Sequence, residues 1–138
     1  MASGLGLAAV VLASVLVHDD VILRGDPFGP ATDLSGGNAG ELAQAVYRSR
    51  ARAVVAVNAA DGQGSGTVIR PDGWIVTCAH VTGGAASVQV VFHDGRTRDG
   101  QVVVADPVID LALLKVEADE PLPWIALADL GALEVGDP

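Results

Sequence analysis

Lysine is almost absent from this sequence. Lys115 is the only one in 138 residues, and the 8 basic side chains stand against 17 acidic ones, for a net charge of −9. Phosphate backbones are held by clustered Lys and Arg, so nucleic acid is excluded as a partner. Cysteine is as scarce: Cys78 stands alone, which excludes an internal disulfide and a C-x-x-C zinc site. There are five aromatic residues, Phe28, Tyr47, Trp74, Phe92 and Trp124, and the apolar half of the chain is mostly Val, Ala and Leu. Small and β-branched side chains suit a pleated sheet over a thin core. No repeat of solenoid period is visible. The 17 glycines and 7 prolines lack the collagen period, and a chain that is 50% hydrophobic is not a disordered one.

The acidity lies at the ends. Residues 1–40 hold four acids and one base, residues 41–104 five and six, and residues 105–138 eight and one. The uncharged run Gly4–Val17, fourteen residues long, suits the apolar core of an export signal and falls short of the roughly 20 residues that span a bilayer. A signal peptide over residues 1–23 is therefore expected, and with it a periplasmic or secreted cell-envelope location. A buried strand or helix, or an uncleaved membrane anchor extended through Val21–Leu23, is the alternative. Residues 24–52 read as a Gly/Pro/Asp/Ser-rich linker, then a short helix from Glu41 to Arg52 with Leu42, Ala45 and Val46 on one face. Its basic end, Arg48, Arg50 and Arg52, suits a helix C-terminus.

From residue 53 the rhythm changes to short apolar or alternating runs. Strands are expected at Ala53–Asn58, Gly66–Arg70, Trp74–Thr77, Ser87–Phe92, Arg98–Ala105, Asp110–Val116 and Trp124–Leu127. Pro71-Asp72-Gly73 and His93-Asp94-Gly95 read as hairpin connections, each with Gly where a positive φ is needed. Strands of this number and length close into a small antiparallel barrel, which removes exposed edges.

Chemistry concentrates in two places. Trp74-Ile75-Val76-Thr77-Cys78-Ala79-His80-Val81 sets a histidine on a turn of small residues after a buried strand, where a rigid scaffold can hold a general base. In Asp106-Pro107-Val108-Ile109-Asp110-Leu111-Ala112-Leu113-Leu114-Lys115, Asp110 leads into an apolar strand, and a partly buried carboxylate needs a partner such as a histidine Nδ1–H.

In these residues the sequence resembles the trypsin-like serine proteases, in particular their HtrA (DegP-like) branch. The resemblance runs from about Ala53 to Pro138 through G-S-G-T-V-I at 64–69, D-G-W-I-V-T-C-A-H-V at 72–81, D-G-R at 94–96, D-P-V-I-D-L-A-L-L-K at 106–115 and L-E-V-G-D at 133–137. It implies an all-β fold: the first six-stranded antiparallel barrel of a double β-barrel, over residues 53–138, preceded by the apolar segment and the short helix. It also implies that His80 is the general base and Asp110 the carboxylate that orients it, in the chain order His, Asp, Ser.

The family's nucleophile sits in a G-N/D-S-G-G motif beyond the aspartate, and no serine follows Ser87 in these 138 residues. Ser35 has Leu34 before it and precedes His80, and Ser65 lacks the glycines of G-x-S-x-G and falls in an early strand, so neither is expected to be the nucleophile. The chain is thus expected to be the N-terminal fragment of an HtrA-type serine endopeptidase, acting by His-activated acyl transfer in protein quality control and inactive alone. Unfolded proteins or peptides would be its substrates and a homo-oligomer its assembled form. Apolar surface on the barrel face that meets the second barrel is expected to make the fragment aggregation-prone. The competing reading is a degenerate, non-catalytic β-barrel that binds a protein partner.

Each of these residues also admits a plainer role. His80 alone would be an ordinary turn histidine and Asp110 a strand-start cap. Cys78 is expected to be a small buried thiol, and His18 and His93 surface residues. Cys78 and His80 with His93 and Asp106 lack the usual zinc-ligand spacing, so neither a metal nor a cofactor is expected. The acidic tail from Glu117 to Asp137, interrupted by Pro121 and Pro123, reads as a solvated loop.

Overall fold

The computed structural model describes residues 39–127. The expected export segment, the linker before residue 39, Ser35 and the motif at 133–137 lie outside the described residues. Helix α1, Ala39–Arg50, carries Glu41 in its first turn and Arg48 and Arg50 in its last, charges that complement the helix dipole. It ends two residues before the expected Arg52, because Ala51–Ala53 tighten into a 3-10 turn that leads straight into the first strand. Leu42 and Ala45 are half-buried, whereas Val46 and Tyr47 are exposed.

Six strands follow: β1 Val54–Asn58, β2 Gln63–Arg70, β3 Trp74–Thr77, β4 Ser87–Val91, β5 Thr97–Asp106 and β6 Leu111–Val116. A four-residue helix, α2, Ala79–Thr82, lies between β3 and β4. The strands form a closed antiparallel barrel in the order β1-β2-β3-β6-β5-β4, with β4 returning to β1 at Val57↔Val90. The all-β barrel is therefore the one expected from the sequence. Bulges between Val68 and Arg70 and between Val102 and Val104 sharpen the curvature that closure requires.

Alternation drives the core. Val55 and Val57, Val88 and Val90, and Leu114 and Val116 point inward beside Val68 and Ile75, and Phe92, Leu122 and Trp124 join the same cluster. β2 begins at Gln63, three residues before the expected Gly66, because Gly64 and Ser65 continue the strand. A Cβ on Gly66 would lie 2.8 Å from Ile75 Cγ2, and one on Gly64 would lie 2.5 Å from Val81 Cγ2. At these two glycines the wall passes too close to its own contents to carry a side chain.

The turns behave as their sequences require. Gly73 has φ +100° and Gly95 φ +83°. Arg70 grips Asp72 through two guanidinium nitrogens, Nε–H at 3.2 Å and Nη2–H at 3.4 Å, and Lys115 Nζ donates to the Asp72 carbonyl at 2.6 Å. At the other hairpin Asp94 accepts the Arg96 backbone N–H at 3.0 Å and Arg96 Nε–H at 2.7 Å, contacts that hold its carboxyl below the ordinary aspartate value.

The seventh expected strand, Trp124–Leu127, does not form. Every barrel strand already has two neighbours, so no edge is open, and Pro121 and Pro123 have no N–H to donate. The segment instead lies against the barrel through two isolated bonds, Leu122 N–H to the Pro71 carbonyl and Ile125 N–H to the Val68 carbonyl, each 2.9 Å. Leu122 and Trp124 remain in the core.

Candidate functional site

β3 alternates Ile75 and Thr77 inward with Trp74 and Val76 only half-buried, and Thr77 donates its hydroxyl to the Ser65 carbonyl at 2.9 Å. Cys78 continues the pleat with extended backbone angles, φ −79° and ψ 144°, and its side chain faces outward. The buried thiol expected from the sequence is thus an exposed one. The correction follows from the strand's period: a residue one step past inward-facing Thr77 must face away from the core.

The chain then turns into α2, where Ala79, Val81 and Thr82 are buried and His80 between them is not. Thr82 Oγ1–H closes on the Ala79 carbonyl at 2.8 Å, and Gly83, in the left-handed region at φ +58°, ends the turn by donating to the His80 carbonyl. Three buried neighbours fix the backbone while the imidazole, 71% exposed, projects into solvent.

Asp110 comes from the other side of a neighbouring pair of strands. β3 and β6 are hydrogen-bonded in the register Thr77↔Ala112, so the residues just past Thr77 and just before Ala112 meet at one end of the barrel. The turn that presents Asp110 is built by Asp106, whose Oδ1 accepts the Val108 N–H at 2.8 Å and the Ile109 N–H at 3.4 Å. That role was not assigned from the sequence, although Asp-Pro before a strand is a turn-initiating signal. Asp110 precedes β6 instead of opening it. Among the described residues it is the one non-glycine with positive φ, 53°, a conformation that aspartate tolerates better than most side chains. Strain of this kind persists where surrounding contacts hold it.

Both carboxylate oxygens act on His80. Oδ2 lies 2.7 Å from His80 Nδ1, and Oδ1 accepts the His80 backbone N–H at 2.9 Å. A carboxylate so placed accepts from Nδ1–H, which leaves Nε2 with its lone pair free toward solvent. The His80 backbone N–H, then its imidazole, hold the Asp110 carboxyl below its ordinary value of 3.8, against a smaller opposing effect of desolvation. A lowered native value means that ionised Asp110 stabilises the fold fully above the ordinary carboxylate range, and that the contribution is lost as pH falls through the native value. Carbon-detected NMR titration should place the Asp110 midpoint below 3.8, with the His80 amide resonance following it; a midpoint at or above that value would show the clamp to be absent in solution.

The remaining sequence candidates lie elsewhere. His93 is exposed at the β4–β5 hairpin, as expected, and Asp106 is committed to its turn. Ser65 is a strand residue paired with Ala56. Among the described residues no helix is long and apolar enough to cross a membrane.

The sequence profile of the trypsin-like peptidase domain matches residues 64–138, more than half of the chain. The chain belongs to the trypsin-like peptidase family. Its relatives within that family carry the names of the HtrA branch. A Synechocystis protein named as a serine protease, HhoA, is 49% identical over 77 residues, which cover 55% of this chain and 20% of the relative. A DegP-like protein of Halomonas elongata, named as a probable periplasmic serine endoprotease, is 47% identical over 73 residues, 53% of this chain and 15% of its own. Among solved structures, the serine endoprotease from Yersinia pestis superposes with a TM-score of 0.52 at 33% identity over 56% of this chain and 30% of that one. The trypsin-like chain thus spans a fifth or less of the length of these two curated relatives.

Proposed function

We propose that this chain is the His/Asp-bearing half of an HtrA-type serine endopeptidase of the cell envelope, with His80 as general base and Asp110 as its orienting carboxylate. The observation that carries the reading is the two-point clamp of His80 by Asp110, through ring and backbone together. In peptide hydrolysis, His80 Nε2 would take the proton of a serine hydroxyl as that oxygen attacks the scissile carbonyl, and then pass it to the leaving amine. Asp110 stays ionised throughout, fixes the tautomer and stabilises the imidazolium formed in between. Residues 1–138 offer no serine in the family's motif, so these residues by themselves should not turn over substrate. The names of the Halomonas and Chlamydia trachomatis relatives support a periplasmic location, and unfolded proteins or peptides are the proposed substrate class.

The exposed apolar residues beside Asp110 fit a half that works against another: Val108 is 78% and Ile109 56% exposed on the turn that carries the carboxylate. The test begins with the coding frame beyond codon 138, which is expected to lead to a G-N-S-G-G motif. The 138-residue chain should leave casein intact, while the longer product should cleave it and lose that activity on His80→Ala. A stop codon in intact genomic DNA, or a His80→Ala product as active as its parent, overturns the reading in favour of a partner-binding barrel.

A further inference from the structure

The clamp has a third polar neighbour. Cys78 Sγ, an imidazole nitrogen of His80 and a carboxylate oxygen of Asp110 all lie within 4.8 Å of one another. Two of the three residues are exposed, so an ion can reach them from solvent without opening the barrel. The sequence set Cys78 and His80 beside His93 and Asp106 and did not point to Asp110, which is 30 positions from His80 and reaches it through the β3–β6 pairing.

We propose that this cluster is a binding site for a soft divalent cation of the Zn2+ class, which arrests the general base. The donor set is one thiolate, one imidazole and one carboxylate, with a fourth position open to water. Zinc accepts that combination, whereas Mg2+ and Ca2+ prefer oxygen alone. Zinc–ligand bonds of about 2.0–2.3 Å in a tetrahedron set donor atoms roughly 3.3–3.8 Å apart, so the widest separation in the cluster closes by no more than about 1 Å, and the 2.7 Å between His80 Nδ1 and Asp110 Oδ2 opens slightly if Nδ1 is the ligand. Exposed Cys78 and His80 can do so by side-chain rotation, on a backbone that Ala79, Val81 and Thr82 keep fixed. Binding converts the thiol to thiolate and releases that proton to solvent. If the ion takes Nε2, it occupies the lone pair that catalysis needs. If it takes Nδ1, the ring proton shared with Asp110 moves to Nε2, which then has no lone pair to offer. Either way His80 can no longer accept a proton from a nucleophile.

Ion binding depends only on the three side chains; its inhibitory consequence rests on the protease reading, and the two are tested separately. The 138-residue chain is titrated with Zn2+ by calorimetry, and with Co2+ by absorbance to detect a thiolate-to-metal charge-transfer band. One-to-one binding and the charge-transfer band are expected. Cys78→Ser and His80→Ala should each weaken Zn2+ by at least about tenfold, since a neutral hydroxyl or a methyl replaces a strong donor, while His93→Ala binds like the parent. In the unaltered chain, Zn2+ should also slow alkylation of Cys78 by iodoacetamide, a readout that needs no variant. Absence of Zn2+ binding, binding unchanged by Cys78→Ser, or alkylation indifferent to Zn2+ would overturn the site. If the site holds and Zn2+ fails to inhibit casein cleavage by the longer product, the arrest falls while the protease reading stands.

Discussion

Asp110→Asn, in the proposed longer product, is expected to lower kcat by about 10⁴-fold while leaving KM nearly unchanged, the scale on which a triad loses function when its histidine adopts the wrong tautomer. The geometry explains why so small a change weighs so much. Asparagine has one oxygen where Asp110 uses two, so it cannot serve both the His80 N–H at 2.9 Å and Nδ1 at 2.7 Å. If its amide NH₂ faces Nδ1, that nitrogen becomes the acceptor and the ring proton moves to Nε2, where the serine proton should go. The formal negative charge that stabilises imidazolium is lost as well. Steady-state kinetics on a peptide substrate measure the effect. A loss in KM alone, with kcat intact, would assign Asp110 to substrate binding and remove it from the catalytic pair.

Leu114→Ala should produce a large loss of stability. Leu114 is fully buried in β6, pairs across the wall with Ile75 and Val102, and belongs to the central cluster. Removing a buried leucine side chain costs about 2–5 kcal/mol through lost transfer energy and the cavity left behind. Against a total of about 5–15 kcal/mol for a domain, that is a large share. Calorimetry of the 138-residue chain should show a Tm lower by about 8 °C or more. Val103→Ala, at a bulge residue on the exposed side of β5, should stay within about 0.5 kcal/mol of the parent. Equal losses at the two positions would contradict the burial pattern.

What the sequence made legible follows from period and punctuation. Valines alternating with smaller or polar residues marked β1 and β4, and Asp-Gly turns marked the hairpins, because those signals are local and each residue's own chemistry enforces them. The pairing of His80 with Asp110 was legible only through a resemblance, since nothing in either segment encodes the β3–β6 register. Three readings failed for identifiable reasons. Trp124–Leu127 has the composition of a strand, but the closed barrel leaves it no partner edge. Cys78 has the size and apolarity of a buried residue, but its parity in the strand turns it outward. Asp110 adjoins an apolar run as a first strand residue would, whereas its positive φ places it in the turn ahead of the strand, a property of the backbone that an aspartate permits without announcing.

The barrel's connectivity also dictates an order of events during synthesis. β3 leaves the ribosome well before β6, and the sheet order places β6 between β3 and β5. A nascent chain that has reached only residue 106 therefore holds two unpaired edges, which are sites for chaperone capture or for pairing with another chain. The His80–Asp110 clamp cannot assemble until the last strand inserts into that gap. Its formation thus reports barrel closure, and a nascent chain can hold His80 against Asp110 only after its scaffold is complete.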